Sequence, residues 1–188
     1  LIPVEFGSAF TPFRSIWADI GDDQSISASL STFSAHIAHL VEMERHLDLP
    51  ALVLLDEVGG GTDPVEGGAL GIAVIDHFRR RGAHLIATTH YDALKSYGSS
   101  TPGVTCAACG FNPDTFAPTY RLTYGTPGRS LAIEIAARLG LPSPVIAAAR
   151  ANLTEEQRLL ADHLARMERD LHAVEQERRE ITTRRLEL

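Results

Sequence analysis

Two short apolar stretches stand out along the chain, and polar residues follow each of them. Residues 51–55 are apolar without a break and are followed by Asp56 and Glu57. Residues 83–88 form a second, mostly apolar stretch that leads into Thr89 and His90. Stretches of this kind predict strands buried on both faces of a parallel sheet. Residues 66–80 have helical spacing, so the pattern predicts a strand–helix–strand unit.

Other parts of the chain predict further elements around this unit. Residues 15–20 favour a strand, and a helix is expected from Ser29 or Ser31 to about Leu47. A short helix over 92–97 precedes two strands, 104–111 and 119–124, which we interpret as an edge hairpin. Two helices are expected at 129–139 and from 142 or 143 to about 150. The predicted fold class is α/β, a partial sheet flanked by helices.

The last segment has a different pattern. From Leu153 to Ile181 the chain follows alternating three- and four-residue steps; apolar residues occupy most of these positions, and Gln157 and Arg178 fill two of them. Charged residues occupy most other positions. This heptad spacing predicts a coiled coil or a long helical arm. The alternative is a single amphipathic helix that lies on the preceding domain. We therefore predict one domain over residues 1–150 and a helical arm over 151–188.

The carboxylates Asp56 and Glu57 are the first candidate site. Ligands of parallel sheets bind outside the carboxyl ends of the strands, where these two residues are expected. One carboxylate there could hold Mg²⁺, and the next could orient or deprotonate an attacking water. A strand that simply ends in two solvated acids is the alternative.

Three neighbouring features extend this candidate site. Glycines 59–61 let the backbone approach another surface closely. His90, at the end of the neighbouring strand, could reach a terminal phosphate. The helix that begins near Ser31 offers free N–H groups to an anion, although an ordinary helix cap is the alternative.

In their order along the chain, these features resemble the ABC-type ATPases and, more narrowly, the MutS family. Within that family they resemble the bacterial branch that carries a C-terminal Smr nuclease domain. The resemblance covers about residues 1–150. The motifs that carry it are Ala18–Ile26, Ser31-Thr32-Phe33, Leu55–Pro64, Ala87–Tyr91, Pro118–Leu122 and Gly125–Ser130.

The resemblance implies an ATPase that uses ATP and Mg²⁺. It implies that Asp56 (Walker B) serves the metal, Glu57 the attacking water, and His90 (H-loop) the γ-phosphate. The resemblance assigns the remaining nucleotide contacts to two further motifs. Ser31 and Thr32 belong to the signature and would complete the nucleotide site of the partner subunit. Gly59, Gly60, Gly61, Thr62 and Asp63 form the D-loop, which would also carry signals across the dimer.

The resemblance also implies properties of a larger protein. It would be a homodimer that acts in DNA repair, in recombination control on branched DNA, or in ribosome rescue on RNA, with endonuclease activity from a further domain. The chain has no Gly-x-x-x-x-Gly-Lys-[Ser/Thr] loop, and its only lysine is Lys95. We therefore interpret the chain as a piece of a longer protein and expect this piece alone not to hydrolyse ATP.

Composition limits the remaining possibilities. The net charge of −7 does not indicate a self-sufficient nucleic-acid binder. Two cysteines are too few for a disulfide framework, and no apolar run reaches membrane-spanning length, so we expect a cytoplasmic protein without a membrane partner. His36 and His39 could share a helix face, but the sequence offers no convincing third metal ligand.

Two other interpretations stay open. The chain could be a non-enzymatic dimerisation and linker module of a nucleic-acid-processing protein, because it lacks the phosphate-binding loop. It could also belong to another ABC-type ATPase with long coils. Against that possibility, the serine of those signatures is usually followed by glycine, whereas Thr32 and Phe33 follow Ser31 here.

Overall fold

The computed structural model describes residues 7–9, 12–21, 32–112, 115, 117–128 and 130–186. Ser31 and residues 22–30 lie outside these residues. The chain divides into two compact units, Leu1–Tyr97 and Gly98–Leu188. The mixture of helices and small sheets confirms the predicted α/β class.

Unit 1 is built on a three-stranded parallel sheet. Its strands are β1 (Ser15–Asp19), β2 (Ala51–Leu55) and β3 (His84–Ala87), and β2 lies in the centre. Because the strands are parallel and in register, the residues that follow them meet at one edge of the sheet. This edge is where the candidate site lies.

Two helices supply most of the cover for this sheet. Helix α1 (Thr32–His46) contributes the buried Met43, and helix α2 (Pro64–Arg80) contributes the buried Phe78. They pack with Val53, Leu55, Val58 and Leu94 in one hydrophobic core. Burial of each such side chain stabilises the fold by about 1.5–3 kcal/mol.

The two faces of the sheet are not equally covered, which corrects the expectation that β2 is buried on both. On the core face, Ala51, Val53 and Leu55 are fully buried. On the opposite face, Leu52 and Leu54 are only half-buried. The flanking Ile16 and Ile86 on that face are 64% and 62% exposed.

Unit 2 contains the hairpin and the later helices. Strands β4 (Ala107–Phe111) and β5 (Pro118–Tyr124) pair antiparallel, as predicted. Among the described residues they form a two-stranded sheet of their own rather than extending the sheet of β1–β3. The helices are α3 (Asp92–Ser100), in which the division of the units falls, α4 (Ala132–Arg138) and α5 (Ser143–Ala151).

The C-terminal segment is one continuous helix, α6 (Glu155–Leu186), as the heptad pattern predicts. Leu164 is buried, whereas Val174 and Ile181, farther along the same seam, are 60% and 48% exposed. Whether this seam pairs with another helix stays a prediction. Among the described residues, no helix is both long enough and apolar enough to span a membrane.

Candidate functional site

The candidate site begins at the carboxyl end of β2. Asp56 is half-buried and Glu57 is exposed. Thr88, which follows β3, donates its hydroxyl to Asp56 Oδ1 and accepts the backbone N–H of Glu57 at 2.9 Å. One threonine therefore fixes both acidic residues relative to the neighbouring strand.

Glu57 has an unusual backbone conformation. Its φ of 46° lies in the left-handed region, which costs a residue with a Cβ about 1–2 kcal/mol. The N–H bond to Thr88 helps to hold it there. Such strain is concentrated at functional sites in proteins, and here it falls on a residue that the sequence singled out.

The glycine loop is packed too closely to accept side chains. A Cβ on Gly59, whose φ is +82°, would lie 2.1 Å from the carbonyl oxygen of Gly67 in α2. A Cβ on Gly61, whose φ is +80°, would lie 3.2 Å from the backbone nitrogen of Phe33, in the first turn of α1. The loop therefore joins the carboxylate edge, α2 and the start of α1 through backbone contacts.

The end of the loop and the end of β3 have their own contacts. Asp63 caps α2, since its Oδ1 accepts the N–H groups of Val65 and Glu66 at 2.9 and 3.1 Å. His90 is exposed, and its ring centroid lies 4.4 Å from that of Tyr91. The Tyr91 hydroxyl donates to the Gly59 carbonyl at 3.3 Å, which connects the predicted H-loop to the predicted D-loop.

One small depression brings part of the predicted site together. Asp56, Glu57, Gly59 and Gly60 line it, together with residues of α1 and the end of β1. Gly61, Thr62, Asp63 and His90 are not among its lining residues. Thr32 is the first residue of α1, and Ser31 lies outside the described residues.

Sequence reasoning missed two members of this edge, Thr88 and Asp19. Asp19 is 7% exposed, and its carboxylate accepts from His36 Nδ1 at 2.7 Å and His39 Nδ1 at 3.0 Å. The sequence offered no convincing third metal ligand beside the two histidines; in the structure they share the Asp19 carboxylate as a hydrogen-bond acceptor. The signal that could have found both residues is polarity at a strand end, since parallel strand ends meet.

The donor set at this edge suits a hard cation held by few protein ligands. Among the described residues, no three His, Cys, Asp or Glu side chains are grouped so that they could hold a metal ion. Mg²⁺ does not need such a group, because it usually keeps several waters and binds one or two carboxylates plus substrate phosphates. The Asp56 carboxylate fits that requirement.

Comparison with known proteins agrees with this picture. Residues 1–157 match the family model described as MutS domain V. The chain therefore belongs to the MutS family.

Its relatives include several proteins named endonuclease MutS2, which confirms the resemblance to that branch. The chain is 48% identical over 176 residues to the protein of Geobacillus kaustophilus (strain HTA426), covering 94% of this chain and 22% of that protein. It is 49% identical over 169 residues to that of Brevibacillus brevis (strain 47), covering 90% and 22%. For Staphylococcus aureus (strain JH9) the identity is 43% over 181 residues, covering 96% and 23%. The chain thus spans about a fifth of the length of these curated relatives.

Proposed function

We propose that this chain supplies the hydrolytic edge of an ATPase, with Glu57 acting on the attacking water and Asp56 serving Mg²⁺. The observation that carries the proposal is the shared anchoring of the two residues by Thr88. A general base must be held in position to accept a proton from water, and a strained, anchored backbone at Glu57 does this.

The two carboxylates have different tasks in this proposal. Asp56 is held by a hydroxyl donor and half-buried, so it is placed to bind a cation or its waters. Bound Mg²⁺ neutralises charge on the phosphate oxygens during phosphoryl transfer. Glu57 is exposed and can accept the proton of a water that its carboxylate orients.

His90 and the glycine loop act beside these carboxylates. We assign to His90 a hydrogen bond to the terminal phosphate, which its exposed position after β3 permits. Gly59–Asp63 form the D-loop. Its contacts to Tyr91 and to the first turn of α1 support a role in carrying signals between the nucleotide site and the dimer contact.

The start of α1 completes a nucleotide site in the other subunit. Free N–H groups at a helix start bind anions. Thr32 is the first residue of α1, and Ser31 directly precedes it in the sequence. In ABC-type ATPases, which the chain resembles, this helix faces the partner's nucleotide. The proposal therefore requires a homodimer with two composite sites.

The proposed activity of the whole protein rests on the names of its relatives. Those relatives are named endonucleases, so we propose a nuclease activity in the longer protein, outside the ATPase edge described above. The longer protein is proposed to act on branched DNA or recombination intermediates, or on ribosomes or RNA during ribosome rescue, in the cytoplasm. The ATPase dimer would control access to them.

A second function rests on a separate observation. The chain contains no phosphate-gripping loop and carries a 32-residue charged helix, so it could serve as a dimerisation and linker module. Nucleotide affinity separates the two functions. If the chain is only a dimerisation and linker module, Asp56→Asn should leave ATP binding by the intact protein unchanged. If it supplies the ATPase edge, Asp56→Asn should weaken ATP binding.

Mixed dimers of the intact protein test the composite site. One subunit carries Ser31→Arg and the other carries Glu57→Gln. The subunit with intact Glu57 then has its site completed by the unsubstituted Ser31 of the partner subunit, so one of the two sites should still hydrolyse ATP. With both substitutions on one subunit, neither site is complete and turnover should stop. Equal activity in the two arrangements would contradict the proposal.

A further inference from the structure

Asp19 connects the sheet edge to helix α1 by two independent routes. Its backbone carbonyl accepts the N–H of Asp56 at 2.8 Å. Its carboxylate accepts the Nδ1–H groups of His36 and His39, at 2.7 and 3.0 Å. A carboxylate can only accept, so both rings must donate. Asp19 thus touches the residue proposed to hold Mg²⁺ through its backbone and α1 through its side chain.

The use of two histidines fixes more than the position of the helix. His36 and His39 are three residues apart and lie on one face of α1. A single hydrogen bond would let the helix pivot about that point, whereas two bonds to the two oxygens of one carboxylate also fix its rotation. Asp19 is 7% exposed, and burial of a carboxylate is costly unless its oxygens are hydrogen-bonded.

The anchored turn of α1 is close to the proposed anion-binding start of the helix. His36 lies one turn after Thr32, the first helical residue, and Asp19 and His36 both line the depression that contains Asp56 and Glu57. A rotation of α1 would therefore displace the helix start, where the proposed contact to the partner's nucleotide is made.

We infer that Asp19, with His36 and His39, is a positioning group that orients the start of α1 toward the nucleotide of the partner subunit. This inference rests on the proposed function, because it needs the composite site. It assigns the Asp19 side chain to the partner's site, although its backbone touches Asp56 of its own subunit. A purely stabilising role would instead affect both sites alike.

Isosteric substitutions test whether the hydrogen bonds carry the effect. In the intact protein, His36→Leu with His39→Leu removes both donors, whereas His36→Asn with His39→Asn keeps an N–H near each Nδ1 position. We expect the leucine pair to lower kcat by about tenfold, with KM for ATP changed by less than about twofold, and the asparagine pair to recover most of kcat. Leucine favours helix more than asparagine does, so the opposite order would show a helix-stability effect. His46→Asn, on the same helix but bonded to the Glu42 carbonyl, is the control.

The subunit dependence is tested with Asp19→Asn and Glu57→Gln in the two mixed-dimer arrangements. With the substitutions on different subunits, the site with intact Glu57 is completed by a helix that keeps Asp19, and one site should turn over normally. With both substitutions on one subunit, the intact Glu57 belongs to the other, unsubstituted subunit. The site of that subunit is then completed by a helix without Asp19, so turnover should be about tenfold lower than in the first arrangement.

Each other result overturns the inference. Equal activity in the two arrangements would show a stabilising role, and the reverse order would show that Asp19 acts through Asp56 of its own subunit. The Ser31→Arg pair, measured in parallel, separates the two levels. If Ser31 acts across the dimer and Asp19 does not, only this inference fails. If Ser31 itself does not act across the dimer, the proposed function fails and the inference fails with it.

Discussion

Thr88 donates its hydroxyl proton to the Asp56 carboxylate across the carboxyl ends of neighbouring parallel strands. The hydroxyl oxygen of Thr88 also accepts a hydrogen bond from the backbone N–H of Glu57, at 2.9 Å. The strands themselves continue to pair here, since Val58 donates to the Thr88 carbonyl at 3.1 Å. The two acidic residues are thus attached to β3 as well as to their own strand.

Removal of the Thr88 hydroxyl should slow ATP turnover. Thr88→Val keeps the shape of the side chain but leaves Asp56 without its donor and the Glu57 N–H without its acceptor. Loss of these bonds should lower kcat of the intact protein by about tenfold. Thr88→Ser keeps the hydroxyl and should stay close to the unsubstituted rate. Steady-state ATP hydrolysis checks this, and equal rates for the two variants would argue against a positioning role for Thr88.

Gly59 should tolerate alanine much less than Gly82 does. Both glycines have positive φ, +82° and +87°. At Gly82 the closest atom to an added Cβ is Leu49 Cδ1 at 3.9 Å, so the substitution should cost only the backbone strain, about 1–2 kcal/mol. At Gly59 the Cβ would lie 2.1 Å from the Gly67 carbonyl oxygen, so α2 must move and the cost should exceed about 3 kcal/mol. Urea unfolding of the 188-residue chain measures both, and similar costs would refute the close loop packing.

Glu44 should contribute to stability above mildly acidic pH. Its carboxylate accepts hydrogen bonds from Arg81 Nη1 at 2.5 Å and from His77 Nε2 at 2.7 Å. These bonds join α1 to the end of α2. The hydrogen bond from Arg81, followed by that from His77, holds the pKa of Glu44 below its ordinary value. Since the folded-state pKa is lower, the contribution is present above the unfolded pKa, about 4.3, and is lost as pH falls through the folded value.

Glu44→Gln tests this contribution. The side chain of Glu44 is 42% exposed, so solvent screening limits the effect to about 0.5–1 kcal/mol at neutral pH. The difference in unfolding free energy from the unsubstituted chain should shrink as pH falls below 4.3. Glu42→Gln is the control, because Glu42 pairs with His46 within α1. A difference that stays constant between pH 7 and pH 3 would contradict the assigned cause.

The far end of α6 should mediate association with another helix. Val174 and Ile181 lie on the heptad seam and are 60% and 48% exposed, so burial of the remaining surface by a partner would stabilise the pair by about 0.7–2 kcal/mol each. Serine at both positions should weaken self-association measured by sedimentation. Serine at the off-seam Ala173 and Glu180 should leave it unchanged. Identical sedimentation of the two double variants would favour a single helix without a partner.

The sequence predicted the elements well because their signals are local. The unbroken apolar run of residues 51–55 is β2, and the heptads after Leu153 form α6. Asp56 and Glu57 were placed at the carboxyl end of this strand because they directly follow that run. The hairpin was also predicted, but a strand pattern does not indicate which sheet a strand joins, and β4 and β5 form a separate sheet.

The rest of the site depends on pairing between distant residues. Asp19 meets Asp56 because β1 and β2 are parallel, with Asp19 opposite Leu55. Neither residue indicates this register by itself, so the sequence placed Asp19 only within the predicted strand 15–20 and the Ala18–Ile26 motif. His36 and His39 were placed on one helix face, but their common acceptor comes from a different element. Thr88 was counted as a strand residue, and its contact with Asp56 needs the β2–β3 register.

The central claim is that Glu57 handles the attacking water while Asp56 serves Mg²⁺, and a paired measurement on the intact protein tests it most directly. Mg²⁺-dependent ATP binding and single-turnover hydrolysis are measured for Glu57→Gln and Asp56→Asn. Glu57→Gln should keep ATP bound but lose hydrolysis by at least about a hundredfold, because an amide cannot accept the proton. Asp56→Asn should weaken ATP binding in Mg²⁺ and leave binding in EDTA unchanged, because it removes charge beside the metal. The same loss of binding and of hydrolysis in both variants would contradict the division of roles.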